Sequence, residues 1–182
     1  MIYVALLRGI NVGGKAMVDM RRLKTVFESS GLDDVSTYIN SGNVVFASKR
    51  RDRTALTTSI EKAIAAEFSL DVDVIVRTSA ELRKLVDAIP ASWTNDSAMK
   101  CDVHFLWPDI DRPSIVEELP HNPAIEDVRY LPGAVVRRVD RDEQSKSPMT
   151  KIVGTALYKK MTVRNINTVR KLLALTESAG TR

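Results

Sequence analysis

The apolar positions of this chain switch between continuous runs, a 3.6-residue period and a two-residue period, and each switch marks an element. Ile2 to Leu7 is an unbroken apolar run rich in strand formers, which predicts a buried strand. Met20, Leu23, Val26 and Phe27 then recur on one helical stripe, opened by Asp19 as N-cap and stopped by Gly31. Residues 35–39 and 44–47 read as strands around Asn40-Ser41-Gly42-Asn43, a composition typical of hairpin turns. Leu56, Ile60, Ala63, Ile64 and Phe68 predict a second amphipathic helix, and Val72, Val74 and Val76 alternate as a fourth strand. This β-α-β-β-α-β order predicts a ferredoxin-like α/β plait, an antiparallel sheet with two helices on one face.

The second half repeats the alternation less regularly. Thr78-Ser79-Ala80-Glu81 reads as a capping box, opening a helix with Leu82, Leu85, Val86 and Ile89 inward and Pro90 as its stop. Residues 91–99 read as a linker. Cys101, Val103, Phe105 and Trp107 share one face of a predicted strand, with His104 on the opposite, polar face. Pro113 suits the first turn of a short helix ending near Leu119. Residues 128–131 and 135–139 flank a Pro132-Gly133 turn. Ser147 and Pro148 predict a helix start with Met149, Ile152, Val153, Ala156 and Leu157 buried, and Asn165 caps a last helix burying Ile166, Val169, Leu172 and Leu173. The expected fold class is therefore α+β, with two α/β-plait (ferredoxin-like) subdomains and antiparallel sheets: residues 1–78, and residues 79–182 with a C-terminal helix. No internal repeat of sequence is visible.

Composition narrows the picture. Five of the eight glycines precede residue 43, whereas all seven prolines lie at or after Pro90, which supports the division into two subdomains. No apolar run approaches the roughly 18 residues of a membrane span. Met1-Ile2-Tyr3-Val4 lacks the basic flank of a signal peptide. A single cysteine, Cys101, fits a reducing, cytoplasmic setting. The net charge of +4 is modest but unevenly spread. Residues 1–25 carry Arg8, Lys15, Arg21, Arg22 and Lys24 against Asp19 alone, residues 159–171 carry five basic groups and no acid, and residues 101–127 hold seven acids against Arg112. Basic ends attract anions; the same distribution also serves as an ordinary solvated exterior.

The densest candidate chemistry is Arg8-Gly9-Ile10-Asn11-Val12-Gly13-Gly14-Lys15, which leaves the first strand. Gly9-x-x-x-x-Gly14-Lys15 matches most of a P-loop, but Ala16 lacks the magnesium-binding hydroxyl, the next helix starts late, and the plait is antiparallel. A weaker expectation remains, an anion-binding nest of loop N–H groups near Arg8 and Lys15. The alternative is that the glycines only let the chain turn. Because the first and third strands pair in a plait, Arg8 to Lys15 should share a sheet edge with Asn40, Ser41 and Asn43. A second polar group, Lys151, Arg164, Asn165 and Asn167, gathers at predicted helix starts, where anions are also favoured. Tyr3 alone is a poor base-stacking platform, and aromatic content of 5% argues against stacking as the main mode. His104 and His121 lack ligands at metal spacing, so no metal and no cofactor is expected. No catalytic triad is visible, and Cys101 reads as a core residue.

Leu6-Arg8-Gly9-Ile10-Asn11-Val12-Gly13-Gly14-Lys15, Tyr38-Ile39-Asn40-Ser41-Gly42-Asn43-Val44-Val45-Phe46, Val76-Arg77-Thr78 and Thr162-Val163-Arg164-Asn165 with Asn167-Thr168 occur in this order along nearly the whole chain. Together they resemble the uncharacterised bacterial domain-of-unknown-function 1697 family. The resemblance implies two α/β-plait subdomains and no particular activity. The functional expectation is a binding module for a phosphate-bearing ligand, nucleotide or nucleic acid, at the glycine loop and the Arg164 segment. The alternatives are an enzyme acting on a small anionic substrate, with Lys15 or Lys151 as the titratable group, and a structural or assembly protein.

Overall fold

The computed structural model describes residues 1–14 and 16–180. It separates into two units, Met1–Leu82 with Leu172–Arg182, and Arg83–Lys171.

The first unit contains β1 (Ile2–Leu7), α1 (Met20–Ser29), β2 (Asp33–Tyr38), β3 (Asn43–Ala47), α2 (Arg53–Phe68), β4 (Val74–Thr78) and the start of α3 (Ser79–Asp87). The strands lie in the order β2-β3-β1-β4, and every neighbouring pair is antiparallel. Tyr3, Ala5, Leu7, Val44, Phe46, Val74 and Val76 form one core with Leu23 and Phe27 of α1 and Leu56, Ile60 and Ile64 of α2. Within it Tyr3 stacks on Phe46 at 5.5 Å between ring centroids, and Phe27 meets the same ring edge-on at 5.5 Å. Val4, Leu6, Val45 and Ile75, on the opposite sheet face, are also buried. Burial on both faces is why Ile2–Leu7 is a continuous run and not an alternation.

Helix ends follow local chemistry. The Asp19 carboxylate accepts from the Arg21 and Arg22 amides at 2.9 and 2.8 Å, and Gly31 leaves α1 with φ +75°. Thr78 and Glu81 form the reciprocal capping box: the Glu81 amide donates to Thr78 Oγ1 at 3.1 Å, and the Thr78 amide to Glu81 Oε2 at 2.8 Å. Phe68 is only partly buried and carries the Arg22 guanidinium 5.1 Å above its ring.

The second unit holds β5 (Met99–Leu106), α4 (Ile115–Glu118), β6 (Glu126–Leu131), β7 (Ala134–Asp140), β8 (Met161–Asn165) and the first residues of α5 (Ile166–Gly180). Its strand order, β6-β7-β5-β8, reproduces that of the first unit. One expectation is corrected here. Residues 148–157 form no α-helix: a 3-10 helix over Pro148–Ile152 ends before Gly154, whose φ of +89° breaks any continuation, and Val153 is 67% exposed instead of buried. Residues 161–165, unassigned by pattern, are the edge strand β8.

The two sheets match residue for residue at their centres. The Leu7 amide donates to Gly42 O and the Arg8 amide to Asp73 O at 2.8 and 2.9 Å; the Leu106 and Trp107 amides donate in the same way to Gly133 O and Lys160 O at 3.0 and 3.1 Å. Val4 faces Arg77 across the ladder as Val103 faces Arg164. On this register Asp102, His104 and Arg137 occupy the places of Tyr3, Ala5 and Phe46. A structural repeat is therefore present without a visible repeat of sequence.

That substitution changes the interior of the second unit. Arg137 Nε donates to Glu126 Oε2 at 2.6 Å, with both side chains almost fully buried, and Ser147 Oγ donates to the same oxygen at 2.8 Å. His104, expected on a polar outer face, is only 4% exposed, because the 3-10 segments and α4 cover that face with Ile115, Met149 and Ile152. Burial lowers its pKa to about 4; the Asp102 charge opposes the shift, and Arg137 and Lys100 add to it.

Two outcomes follow. Phe27→Ala should destabilise the first unit by about 3–5 kcal/mol, because it empties the centre of the aromatic cluster; a chemical-denaturation difference under about 1 kcal/mol would contradict this packing. The depressed His104 pKa favours the neutral ring in the folded state, so its contribution is complete above the ordinary value of 6.5 and is lost as pH falls toward about 4. Both tryptophans, Trp93 and Trp107, lie in the second unit and report its unfolding. The stability difference between the native chain and His104→Leu should fall by about 3 kcal/mol from pH 7 to pH 4; a pH-independent difference would remove the titration from His104.

Candidate functional site

β1 leaves its sheet between two hydrogen bonds, from the Leu7 amide to the hairpin and from the Arg8 amide to Asp73 O. Gly9 then turns the chain with φ +70°, and two apolar side chains, Ile10 and Val18, anchor the following loop in the core at 2% and 3% exposure. Gly9, Val12, Gly13, Gly14 and Met17 are exposed. Gly13 and Gly14 have consecutive positive φ values, +59° and +73°, which is the requirement of a type I′ hairpin turn. The Asn11 amide donates to Ala16 O at 3.1 Å and closes this small hairpin. A Cβ added at Gly9, Gly13 or Gly14 would meet nothing within 4 Å, so conformation and not crowding demands glycine there. Lys15 lies outside the described residues.

Asn11 organises the edge. Its Oδ1 accepts from the Val18 amide at 2.8 Å, while its Nδ2 donates to Val18 O at 3.0 Å and to Asn40 O at 2.8 Å. One carboxamide thus closes the glycine loop on itself and ties it to the β2–β3 hairpin. Both amide hydrogens are used, and Asn tolerates the left-handed φ of +54° better than most residues. Aspartate could not make the two donations.

The hairpin is equally specific. Gly42 has φ +73°, and a Cβ there would lie 2.7 Å from Leu7 Cβ and 2.9 Å from Ile10 Cδ1. Asn43 is fully buried and donates to Tyr38 O at 3.0 Å, while Asn40 and Ser41 are exposed. Arg8, Asn11, Gly13, Gly14, Asn40, Ser41 and Asn43 therefore gather at one sheet edge. The P-loop comparison fails on geometry: β1 pairs antiparallel with both neighbours, and the N-terminus of α1 is occupied by Asp19.

Three residues of this edge were not among the candidates. Ile39 has φ +49°, an uncommon conformation for a β-branched residue, and its side chain is 49% exposed. Val12 and Met17 are 67% and 68% exposed. The available signal was an apolar residue placed at the mouth of a polar turn.

The second candidate group lies in the other unit. Lys151 is exposed on the 3-10 helix Pro148–Ile152. Arg164 is a residue of β8, 7% exposed, and donates from Nη1 to Thr162 Oγ1 at 3.0 Å and Val163 O at 2.8 Å. Burial lowers its pKa to about 10, which leaves it charged at neutral pH. Asn165 caps α5 by accepting from the Thr168 amide at 2.9 Å, and Asn167 donates to Asn95 O at 2.8 Å. These two asparagines have structural employment. Cys101 is buried, and desolvation together with the Asp102 charge pushes its thiol up to about 12, so it is no nucleophile at neutral pH. Among the described residues no three His, Cys, Asp or Glu side chains group as a metal site, and no helix is long and apolar enough to cross a membrane.

Residues 1–136 match the family described as Protein of unknown function (DUF1697), and the chain belongs to that family. A solved structure similar to this one is that of the conserved bacterial protein SP0830 from Streptococcus pneumoniae, with 26% identity and a TM-score of 0.81 over 96% of this chain and 98% of that one. Among curated proteins, none matches the chain.

Asn11→Ala should cost about 1–3 kcal/mol, because it removes three hydrogen bonds and leaves the Val18 amide without its acceptor. Hydrogen exchange at the Val18 amide should accelerate in the variant; unchanged protection there would show that the carboxamide does not hold the loop.

Proposed function

We propose that the chain is a binding module for a phosphate-bearing ligand, a nucleotide or nucleic acid, at the β1 edge of the first unit. The observation that carries this reading is the Asn11 carboxamide, which fixes an exposed Gly13-Gly14 turn next to Arg8 and the hairpin loop. A turn fixed in advance loses little conformational entropy when a ligand arrives. The exposed glycines allow backbone to approach an anion closely, and the basic excess of residues 1–25 supplies charge complementarity. Exposed Val12, Met17 and Ile39 offer apolar contact for a base or sugar beside the phosphate.

The same three apolar residues favour a second reading, a contact with another protein subunit, since such residues grouped at one edge are typical of interfaces. Fluorescence anisotropy with a labelled single-stranded RNA and a labelled nucleotide separates the two. On the first reading at least one probe binds, affinity falls as salt rises, and joint replacement of Arg8 and Lys15 with Ala weakens binding by about tenfold or more. Absence of binding to either probe, with a sedimentation-detected dimer that Ile39→Asp dissolves, would establish the subunit contact instead.

A further inference from the structure

The polar interior of the second unit leaves an imbalance that its protein groups do not resolve. His104 and Arg137 are each 4% exposed. Among the described residues neither ring nitrogen of His104 has a hydrogen-bond partner, and neither has Arg137 Nη2. The nearby acceptors are committed or distant. Glu126 Oε2 already accepts from Arg137 Nε and Ser147 Oγ, and Glu126 Oε1 accepts from the Asn122 amide at 2.8 Å. Asp102 stands 3.9 Å from Arg137 Nη1, beyond hydrogen-bond reach.

These groups share one place. Asp102 faces Arg137 across the β5–β7 ladder, and His104 lies two residues along the same face of β5, opposite Val135 and Val163. The ring therefore sits where the apolar cluster of Leu106, Val135 and Met161 gives way to the Asp102–Arg137–Glu126 group. A buried polar group left alone lowers a folding equilibrium by roughly 5- to 150-fold, so three such atoms in one place require an occupant.

Charge selects the occupant. Lys100 and Arg137 balance Asp102 and Glu126. A bare anion would meet two carboxylates, and a cation would meet two basic groups. A neutral molecule that both donates and accepts fits the inventory: Arg137 Nη2 gives a hydrogen bond, neutral His104 gives or takes one at the ring nitrogen that faces it, and Asp102 takes one. Water has that capacity, and buried waters usually make about three such bonds.

We infer that the second unit contains an internal hydration site, in which one ordered water links Arg137 Nη2, the His104 ring and the Asp102 carboxylate. The water occupies a region that the first unit fills with the Tyr3–Phe46 stack. It makes the Arg137 guanidinium compatible with burial. This site is independent of the ligand edge in the first unit.

The test is the sign of one substitution. With a bridging water, His104→Leu removes a partner of the water and strands Arg137 Nη2, so the folding equilibrium constant of the second unit, read from tryptophan fluorescence at pH 7, falls by about tenfold or more. Around a dry, unpaired histidine the same change relieves an unsatisfied group, and the constant stays level or rises; that result overturns the inference. Should the variant not fold, NMR of the native chain decides, through magnetisation transfer from a long-lived water to the His104 ring protons. Transfer supports the site, and its absence at a fully assigned His104 ring overturns it.

Discussion

The close approach of β1 and the β2–β3 hairpin at Gly42 is the contact on which the candidate edge depends. A side chain at position 42 would overlap Leu7 and Ile10, and with it the bond from the Leu7 amide to Gly42 O would open. Ile10 is one of two apolar anchors of the glycine loop, so the same contact sets where that loop begins. Asn11 can then reach Asn40 O only because strand end and hairpin are already in register. The exposed turn is thus the end of a chain of dependencies that starts with a missing methyl group.

The first unit was readable from its sequence because each element carries its own complete signal. Leu23 and Phe27 form a helical stripe behind a working Asp19 cap, and Gly31 ends it. The second unit was harder because burial there does not follow polarity. β8 contains Arg164, which looks exposed in sequence and is buried in structure. His104 misleads in the same way, since a period-two reading assigns polar residues to water. Pro148 and Ser147 mark a real helix start, but Gly154 halts it after one short 3-10 segment, and a single breaker outweighed the apolar spacing beyond it.

At the candidate edge, composition revealed the glycines and the asparagines but not their division of labour. Asn43 belongs to hairpin closure and Asn11 to a clamp between two loops. That distinction depends on which carbonyl lies within 3 Å of each carboxamide, a tertiary fact with no local signature. The left-handed Ile39 is similar: nothing in Tyr38-Ile39-Asn40 marks the middle residue as the strained one. The matched sheets show the converse. Hydrogen bonds at Leu7 and Leu106 superpose two frameworks whose fillings, aromatic in one and charged in the other, share almost no sequence signal.

The assignment of Leu172–Arg182 to the first unit has a consequence for how the chain is made. Residues 83–171 form an uninterrupted insertion within a unit whose own parts come from both sides of it. The Ser79 and Thr176 hydroxyls, 2.8 Å apart, join those two parts across 97 positions of sequence. During vectorial synthesis the inserted unit is therefore the first to have all its residues available, although it is encoded later than the first sheet. The N-terminal plait waits for the residues after 171 to leave the ribosome before its contacts are complete, so a product that stops at 171 carries a finished insertion inside an unfinished host.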